Sequence, residues 1–466
     1  MNALSPHPEN SHLRYYAEHA LLATGWESNV AIDVKNGAIF KIEVNTTPKS
    51  DTVCLHGPVL PTLANVHSHA FQRVMAGAAE VSLDPNDSFW SWRELMYKVV
   101  QKLTPDDVRI VATQLYIDML KAGYTQVGEF HYLHHTPNGT PYQNKSEIAE
   151  QLLQAANDAG IGLTLLPVLY SYSGFGEKPP HEGQARFINN TESYLTLYQQ
   201  CETFLKPHSL HTSGVCFHSL RAVNKNQIED VLDVVGKNKP IHIHIAEQQK
   251  EVEECVAWTG QRPVQWLCDE IGIDQRWCLV HATHLDEKEM SALASSKATV
   301  GLCPTTEANL GDGIFPATDY TLLDGKWGIG SDSHVSLSIV EELRTLEYAQ
   351  RLRDQQRNRL YRAQQQHIGD NLFQQARLGG NQACDVKFGL AVGSRADFMV
   401  LDNQNPFVAA SDPKDLLNRW IFACNENIIR DVYVAGQPQI KQYRHHYEDA
   451  SRKKFINVIR KVLYSK

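Results

Sequence analysis

No uninterrupted apolar run in this sequence is long enough to span a bilayer, which excludes a helical membrane protein. The N-terminal stretch MNALSPHPENSHLRYYAEH lacks a basic segment followed by an apolar one, so no export signal is expected and the predicted compartment is the cytoplasm. Positive charge is scarce: 44 Lys and Arg stand against 53 Asp and Glu, a net charge of −9. No segment concentrates enough cations to hold a phosphate backbone, and neither nucleic acid nor a membrane is an expected partner. The densest basic stretch, QYRHHYEDASRKKFINVIRKV from Gln442, interleaves its charges with Phe455, Ile456, Val458 and Ile459. That is the pattern of a docked terminal helix with a basic outer face. Nine cysteines are scattered without a CxxC pair, which argues against a disulfide framework and a zinc ribbon.

What is present is an ordinary globular composition, 42% hydrophobic and 21% charged over 466 residues, enough for a large core. Residues 14–56 read as short strands, with Asn36-Gly37 offering a hairpin turn. From about Pro58 helical segments such as PDDVRIVATQLYIDMLKAG alternate with β-rich runs such as TQVGEF, GLTLLPVLY, PIHIHIAE and KWGIGSDS. Eight such strand ends can be counted, which predicts a (β/α)8 barrel with a parallel sheet. After about residue 380 the β texture returns. The expected organisation is therefore an N-terminal part of a small β-sandwich (1–57), the barrel (58–380), the C-terminal part of the sandwich (381–440) and a terminal helix (441–466).

In such a barrel, chemistry collects at the C-terminal ends of the strands. The run PVLPTLA ends in NVHSHAFQR, and on a strand His67 and His69 point the same way. Further along, PIHIHIAEQ places His242 and His244 on one face with Glu247 just beyond, RWCLVHATH ends in His281, and KWGIGSDSH reaches Asp332 after small glycines. Each has a plain alternative when taken singly: a carbonyl-bonded core histidine for His242, a surface residue for His281, a helix N-cap for Asp332. Together they place imidazole or carboxylate at one rim again and again. His67, His69 and His244 with Asp332 fit a one-metal site for Zn2+, whose donor set Fe2+ or Mn2+ would also accept. Glu247 lies close enough to move protons without being a ligand. His242, deeper on its strand, is left out of the ligand set. The HxE and PCxxC pattern of cytidine-type zinc deaminases is missing.

This order, HxH on the first strand, His on the fifth, His on the sixth and Asp on the eighth, resembles the amidohydrolase superfamily. GLAVGSRADFMVLD (389–402) is similar to that superfamily's terminal sandwich segment, so the resemblance covers nearly the whole chain. The fourth-strand region GVCFHSLRAV has no lysine to bridge two metals, which points to the one-metal deaminase branch. Within that branch NVHSHAFQRVMAG, the set Trp90, Trp92 and Arg93, GEFHYLHH (128–135) and HSLRAV (218–223) resemble the deiminases of N-formimino-L-glutamate in histidine degradation. The resemblance implies that Arg93 and Arg221 clamp a small anionic amidine substrate. It adds Gln72, Tyr132 and His218 as hydrogen-bonding partners, Glu247, His281 and Asp332 as catalytic groups, and a homodimer. Guanidinium groups suit a dianion because each binds two carboxylate oxygens at once. Taken alone, Arg93 also reads as a surface ion pair with Glu94 or Asp87, and Tyr132 as a core residue. The alternative on the same scaffold is an aminohydrolase of a heteroaromatic base such as guanine, an adenosine-type nucleoside or a triazine.

Overall fold

The computed structural model describes residues 12–81, 89–363 and 365–464, with the side chains of 89–91 left aside. The start of the N-terminal stretch read for export signals, and the first eleven positions of the expected sandwich, lie outside the described residues. Eight parallel strands follow one another around a barrel: Leu63–Ser68, Tyr124–His131, Gly162–Leu169, Val215–Ser219, Ile241–Ile245, Trp277–His281, Thr299–Leu302 and Lys326–Ile329. They are called the first to eighth barrel strands below. Almost every residue in them is buried, as expected where helices cover a parallel sheet on one side and packed side chains fill the other. The eighth strand meets the first through a single parallel bridge, Ser68 with Asp332.

Local signals set the flanking helices. Thr104 accepts a hydrogen bond from the amide of Asp107 while the Asp107 carboxylate accepts from the Thr104 amide, a reciprocal cap that starts the helix Pro105–Lys121 beside the first two strands. Across the bottom of the barrel lies the helix Ile368–Ala383. Gly379 allows this close approach, since a Cβ there would stand 1.9 Å from the carbonyl oxygen of Trp327 on the eighth strand.

A second sheet of nine strands, mostly antiparallel, is drawn from both ends of the chain. Its core packs Tyr15, Ile32, Val34, Val59, Phe398 and Tyr433, with the rings of Phe398 and Tyr433 stacked at 4.5 Å. The sheet folds over this core as a sandwich, tied by the amide of Ile39 donating to the carbonyl of Ser394 at 2.9 Å. Asn36 and Gly37 both have positive φ, 52° and 78°, and turn the strand Gly25–Lys35 into Ala38–Glu43 as the Asn-Gly pair predicts. Two boundaries differ from the sequence reading: Arg444–His445, counted there with the terminal helix, pairs with Gln437–Lys441 in the second sheet, and the other lies where the barrel begins. Val59–Pro61, counted there with the barrel, pairs with Phe398–Leu401 in the second sheet. Its apolar run continues into the first barrel strand without a break in composition, so nothing in the residues marks the change of sheet.

The terminal helix Glu448–Ile459 docks on Pro105–Lys121, where Lys121 Nζ meets Glu448 at 2.9 Å and Lys461 Nζ meets Asp107 at 2.5 Å. Val458 and Val462 are buried beneath it, Arg452, Lys453 and Lys454 face outward, and Ile456 joins them at 40% exposure. Ser465 and Lys466 lie outside the described residues. Among the described residues no helix is long and apolar enough to cross a membrane.

Candidate metal centre and substrate pocket

The first barrel strand delivers His67 and His69 to the rim as period-2 neighbours. At that point strand pairing gives way to a 3-10 turn, Ala70–Met75, that carries Gln72 inward. His67 Nε2 lies 3.0 Å from His69 Nε2 and 3.0 Å from His244 Nε2, the latter reaching over from the fifth strand. Asp332 closes the group, with Oδ1 3.3 Å from His69 Nε2 and 3.5 Å from His67 Nε2. It is held there because the amides of Ser331 and Asp332 both donate to the carbonyl of His67, at 3.2 and 3.0 Å. Gly330 makes the approach possible, since a Cβ on it would stand 2.8 Å from the Cβ and the backbone nitrogen of His67.

The chemistry of these donors is that of a cation site. His69 Nδ1 donates to the carbonyl of Phe130 at 2.9 Å and His244 Nδ1 to the carbonyl of His218 at 3.0 Å, which leaves an unprotonated Nε2 on each. Burial lowers the pKa of all three imidazoles; for His67 and His244 neighbouring histidines add to it, and for His69 the Asp332 carboxylate pulls partly back. They are therefore neutral at pH 7, the form that binds metal. Three nitrogens crowded together with one carboxylate share at most one proton among the contacts. A cation among them satisfies every lone pair at once. The structure thus fits a metal cofactor: His67, His69 and His244 form one group able to hold a cation, and His67 and Asp332 form a second with His281.

Beside this cluster lie a fourth histidine, His281, and the carboxyl group of Glu247. His281 ends the sixth strand with φ of 68°, its Nε2 3.7 Å from Asp332 Oδ2 and 3.9 Å from Glu247 Oε1. Burial alone would lower its pKa, but Glu247, Glu307 and Asp332 outweigh that and raise it to about 10. Glu247 moves the other way for a carboxyl, up to about 7, chiefly by burial. The grouping of His281, Cys303 and Glu307 is already filled by hydrogen bonds, since Glu307 Oε1 accepts from His281 Nδ1 at 3.3 Å and from the Cys303 amide at 2.8 Å.

A cleft opens above these groups, and every expected site residue lines it except His67, which lies behind His69 with no exposure. Gln72 Nε2 donates to the Tyr132 hydroxyl at 3.0 Å, so the structure brings those two together. His218 packs against Tyr170 with ring centroids 4.2 Å apart and is neutral, its pKa held far down by burial and then by Arg221. Arg221 stays charged: burial opposes it, but Glu251, Tyr170 and Glu247 raise its pKa. Arg93 sits 5.6 Å from the Tyr97 ring, and the charges of Arg93 and Arg221 both reach Tyr97 and Tyr170. The Trp90 side chain lies outside the described residues. His242, as left out above, is bonded instead to the carbonyl of Ala383 at 2.7 Å, at the bottom of the barrel.

Several residues escaped the sequence reading. Tyr97, Tyr170 and Phe187 form the aromatic wall of the cleft, and Glu307 orients His281. Glu307 carries a usable signal, a carboxylate just past the seventh strand end, where rim chemistry is expected. Arg186 carries none. Fully buried, it donates to the carbonyls of His135 at 2.8 Å, Leu103 at 3.0 Å and Val100, and so joins the loop after Tyr132 to the end of the helix that bears Arg93.

Comparison with known proteins agrees with this architecture. The chain is 54% identical over 450 residues to a formimidoylglutamate deiminase of Pseudomonas aeruginosa, covering 96% of this chain and 99% of that one. It is 26% identical over 392 residues to a 5-methylthioadenosine/S-adenosylhomocysteine deaminase of Natronomonas pharaonis, covering 81% and 80%. The crystal structure of an amidohydrolase from Brucella melitensis superposes with a TM-score of 0.93 at 45% identity, covering 97% of this chain and all of that one. Residues 59–438, the barrel together with the strands that flank it, match the amidohydrolase family, and the chain belongs to that family.

Proposed function

We propose that this protein hydrolyses N-formimino-L-glutamate to N-formyl-L-glutamate and ammonia, with Zn2+ as its metal. The observation that carries the reading is the pairing, in one cleft, of the histidine–aspartate cluster with Arg93 and Arg221 in a chain of net charge −9. Such a chain would repel a dianion unless cations were fixed at the point of binding. The high identity to a protein named formimidoylglutamate deiminase supports the same substrate.

His67, His69, His244 and Asp332 would hold the zinc, which when bound supplies Lewis acidity and lowers the pKa of water toward neutrality. The chain's own groups do the rest. Arg93 and Arg221 bind the two carboxylates, while Gln72, Tyr132 and His218 hold the two amidine nitrogens, so the formimino carbon faces Glu247. The Glu247 carboxylate takes a proton from the attacking water, and its raised pKa suits it to give that proton back near pH 7. The recipient is the terminal amidine nitrogen, which takes a second proton as the hydroxyl of the tetrahedral adduct becomes the carbonyl, and leaves as ammonia when its bond to the formimino carbon breaks. His281, as an imidazolium, stabilises the negative charge that develops on oxygen, a contribution of about 3 kcal/mol in comparable sites.

The alternative, deamination of a heteroaromatic base, finds support in more distant relatives such as the nucleoside deaminase of 26% identity. Ammonia release by zinc-loaded protein separates the two. Turnover of N-formimino-L-glutamate but not of guanine or adenosine is expected, lost on chelation and restored by Zn2+. Turnover of a base with none of the formimino compound, or activity indifferent to Arg221→Ala, would overturn the reading.

A further inference from the structure

Glu129, within the GEFHYLHH motif, has no part in the chemistry above. Along the second strand side chains alternate, and Phe130 packs against His67, His69 and His244 with ring centroids 4.3–5.3 Å away. Glu129 therefore faces the other way, toward the helix Pro105–Lys121, and is 2% exposed. Its Oε2 accepts from the Ser68 hydroxyl at 2.6 Å and the Tyr116 hydroxyl at 3.1 Å, and its Oε1 accepts from the Ala70 amide at 2.7 Å. Among the described residues no Lys, Arg or His forms an ion pair with it. A carboxylate buried without a cation is costly, and an apolar residue of the same size would avoid the cost.

We propose that Glu129 is a positioning residue for the metal centre: its carboxylate grips Ser68 and Ala70, the two neighbours of His69, and so sets the direction in which His67 and His69 present their Nε2 atoms. His67 makes the need plain. Its Nδ1 meets no hydrogen-bond partner among the described residues, so the aim of the ring depends on its main chain and on packing against Phe130. That main chain is fixed on one side by the amides of Ser331 and Asp332 and on the other by Ser68, which Glu129 holds. The same bond to Ala70 starts the turn that carries Gln72, so one carboxylate orients two ligands and a cleft residue.

The inference rests on the metal-centre reading, and the experiment keeps the two apart. Zn2+ affinity is measured by competition with a chromophoric chelator, with the visible spectrum of the Co2+ form as a second readout, for wild type, Glu129→Gln and Ser68→Ala. Glu129→Gln keeps the volume but leaves one acceptor where there were two. A loss of about 10- to 100-fold in affinity is expected, with a changed Co2+ spectrum and a fall in kcat at nearly constant KM. Ser68→Ala removes one of three donors and should weaken binding by roughly two- to tenfold; it carries the test if the glutamine variant does not fold. A purely structural role would lower the Tm of the metal-free protein and leave affinity alone. Affinity within twofold of wild type in the folded variants overturns the proposal. Failure of the wild type to bind either metal overturns the metal centre itself.

Discussion

A methyl group at position 330 would test how tightly the centre is built. The Cβ of an alanine there would stand 2.8 Å from the Cβ and amide nitrogen of His67 and 2.9 Å from its carbonyl oxygen. Ordinary contacts begin at 3.4 Å, so the strand must retreat by about half an ångström. Two of the three obstacles are backbone and cannot rotate away. Gly330 has no positive φ, so the penalty is one of space and not of conformation. Overpacking of this kind costs about 1–3 kcal/mol of stability. The displacement falls on a ligand, and a misplacement of about half an ångström in a catalytic group costs roughly tenfold in rate. Gly330→Ala should therefore fold, lose part of its bound metal and fall at least about tenfold in kcat, read by circular dichroism, metal analysis and steady-state kinetics. Gly236→Ala is the matched control: its Cβ would meet nothing within 4 Å, and a gain of about 0.4–1 kcal/mol with unchanged kcat is expected. Wild-type metal content and kcat in Gly330→Ala would refute the claim that this glycine sets the ligand geometry.

Arg186→Met keeps most of the side-chain volume but strips donors from the carbonyls of Val100, Leu103 and His135. A loss of about 2–4 kcal/mol by denaturant titration is expected, together with a KM raised about tenfold or more, because the helix bearing Arg93 loses its tie to the loop after Tyr132. An unchanged KM would show that the tie does not shape the cleft. In the sandwich, hydrogen bonds first from Arg14 and then from Lys41 depress the Glu43 carboxyl to about 2. A depressed folded-state pKa contributes stability that is complete above the unfolded value near 4.3 and is lost as pH falls toward 2. The Tm difference between wild type and Glu43→Gln should accordingly be present at pH 6 and vanish near pH 2; a difference that persists unchanged to pH 2 would contradict the ion pair.

The meeting of His67, His69, His244 and Asp332 was legible because three physical rules converge on them. Period-2 alternation pairs His67 with His69, strand ends carry the chemistry of a barrel, and few residue types bind zinc. The supporting residues were not legible, since their partners are remote and carry no side-chain signature. Arg186 bonds main-chain carbonyls, and Asn65 reaches Ser331 across 266 residues at 2.7 Å. The dual role of VLPTLANVHSH, the end of one sheet and the start of another, is likewise invisible in its composition. Positive φ at Ala246, His281, Ala282 and Asp332, none of them glycine, contradicts local preference at the rim, and only tertiary contacts hold such conformations.

The barrel meets itself at one bridge, Ser68 with Asp332, and the proposed metal ligands stand on both sides of it. Topologically, a cation there is a clasp that joins the first and last staves of the barrel, much as a cross-link closes a long loop. Because the unfolded chain has no such site, binding free energy becomes folding free energy, about 4 kcal/mol when free metal exceeds its dissociation constant a thousandfold. Metal starvation would then leave the cell with a barrel prone to part at its seam as well as an idle enzyme.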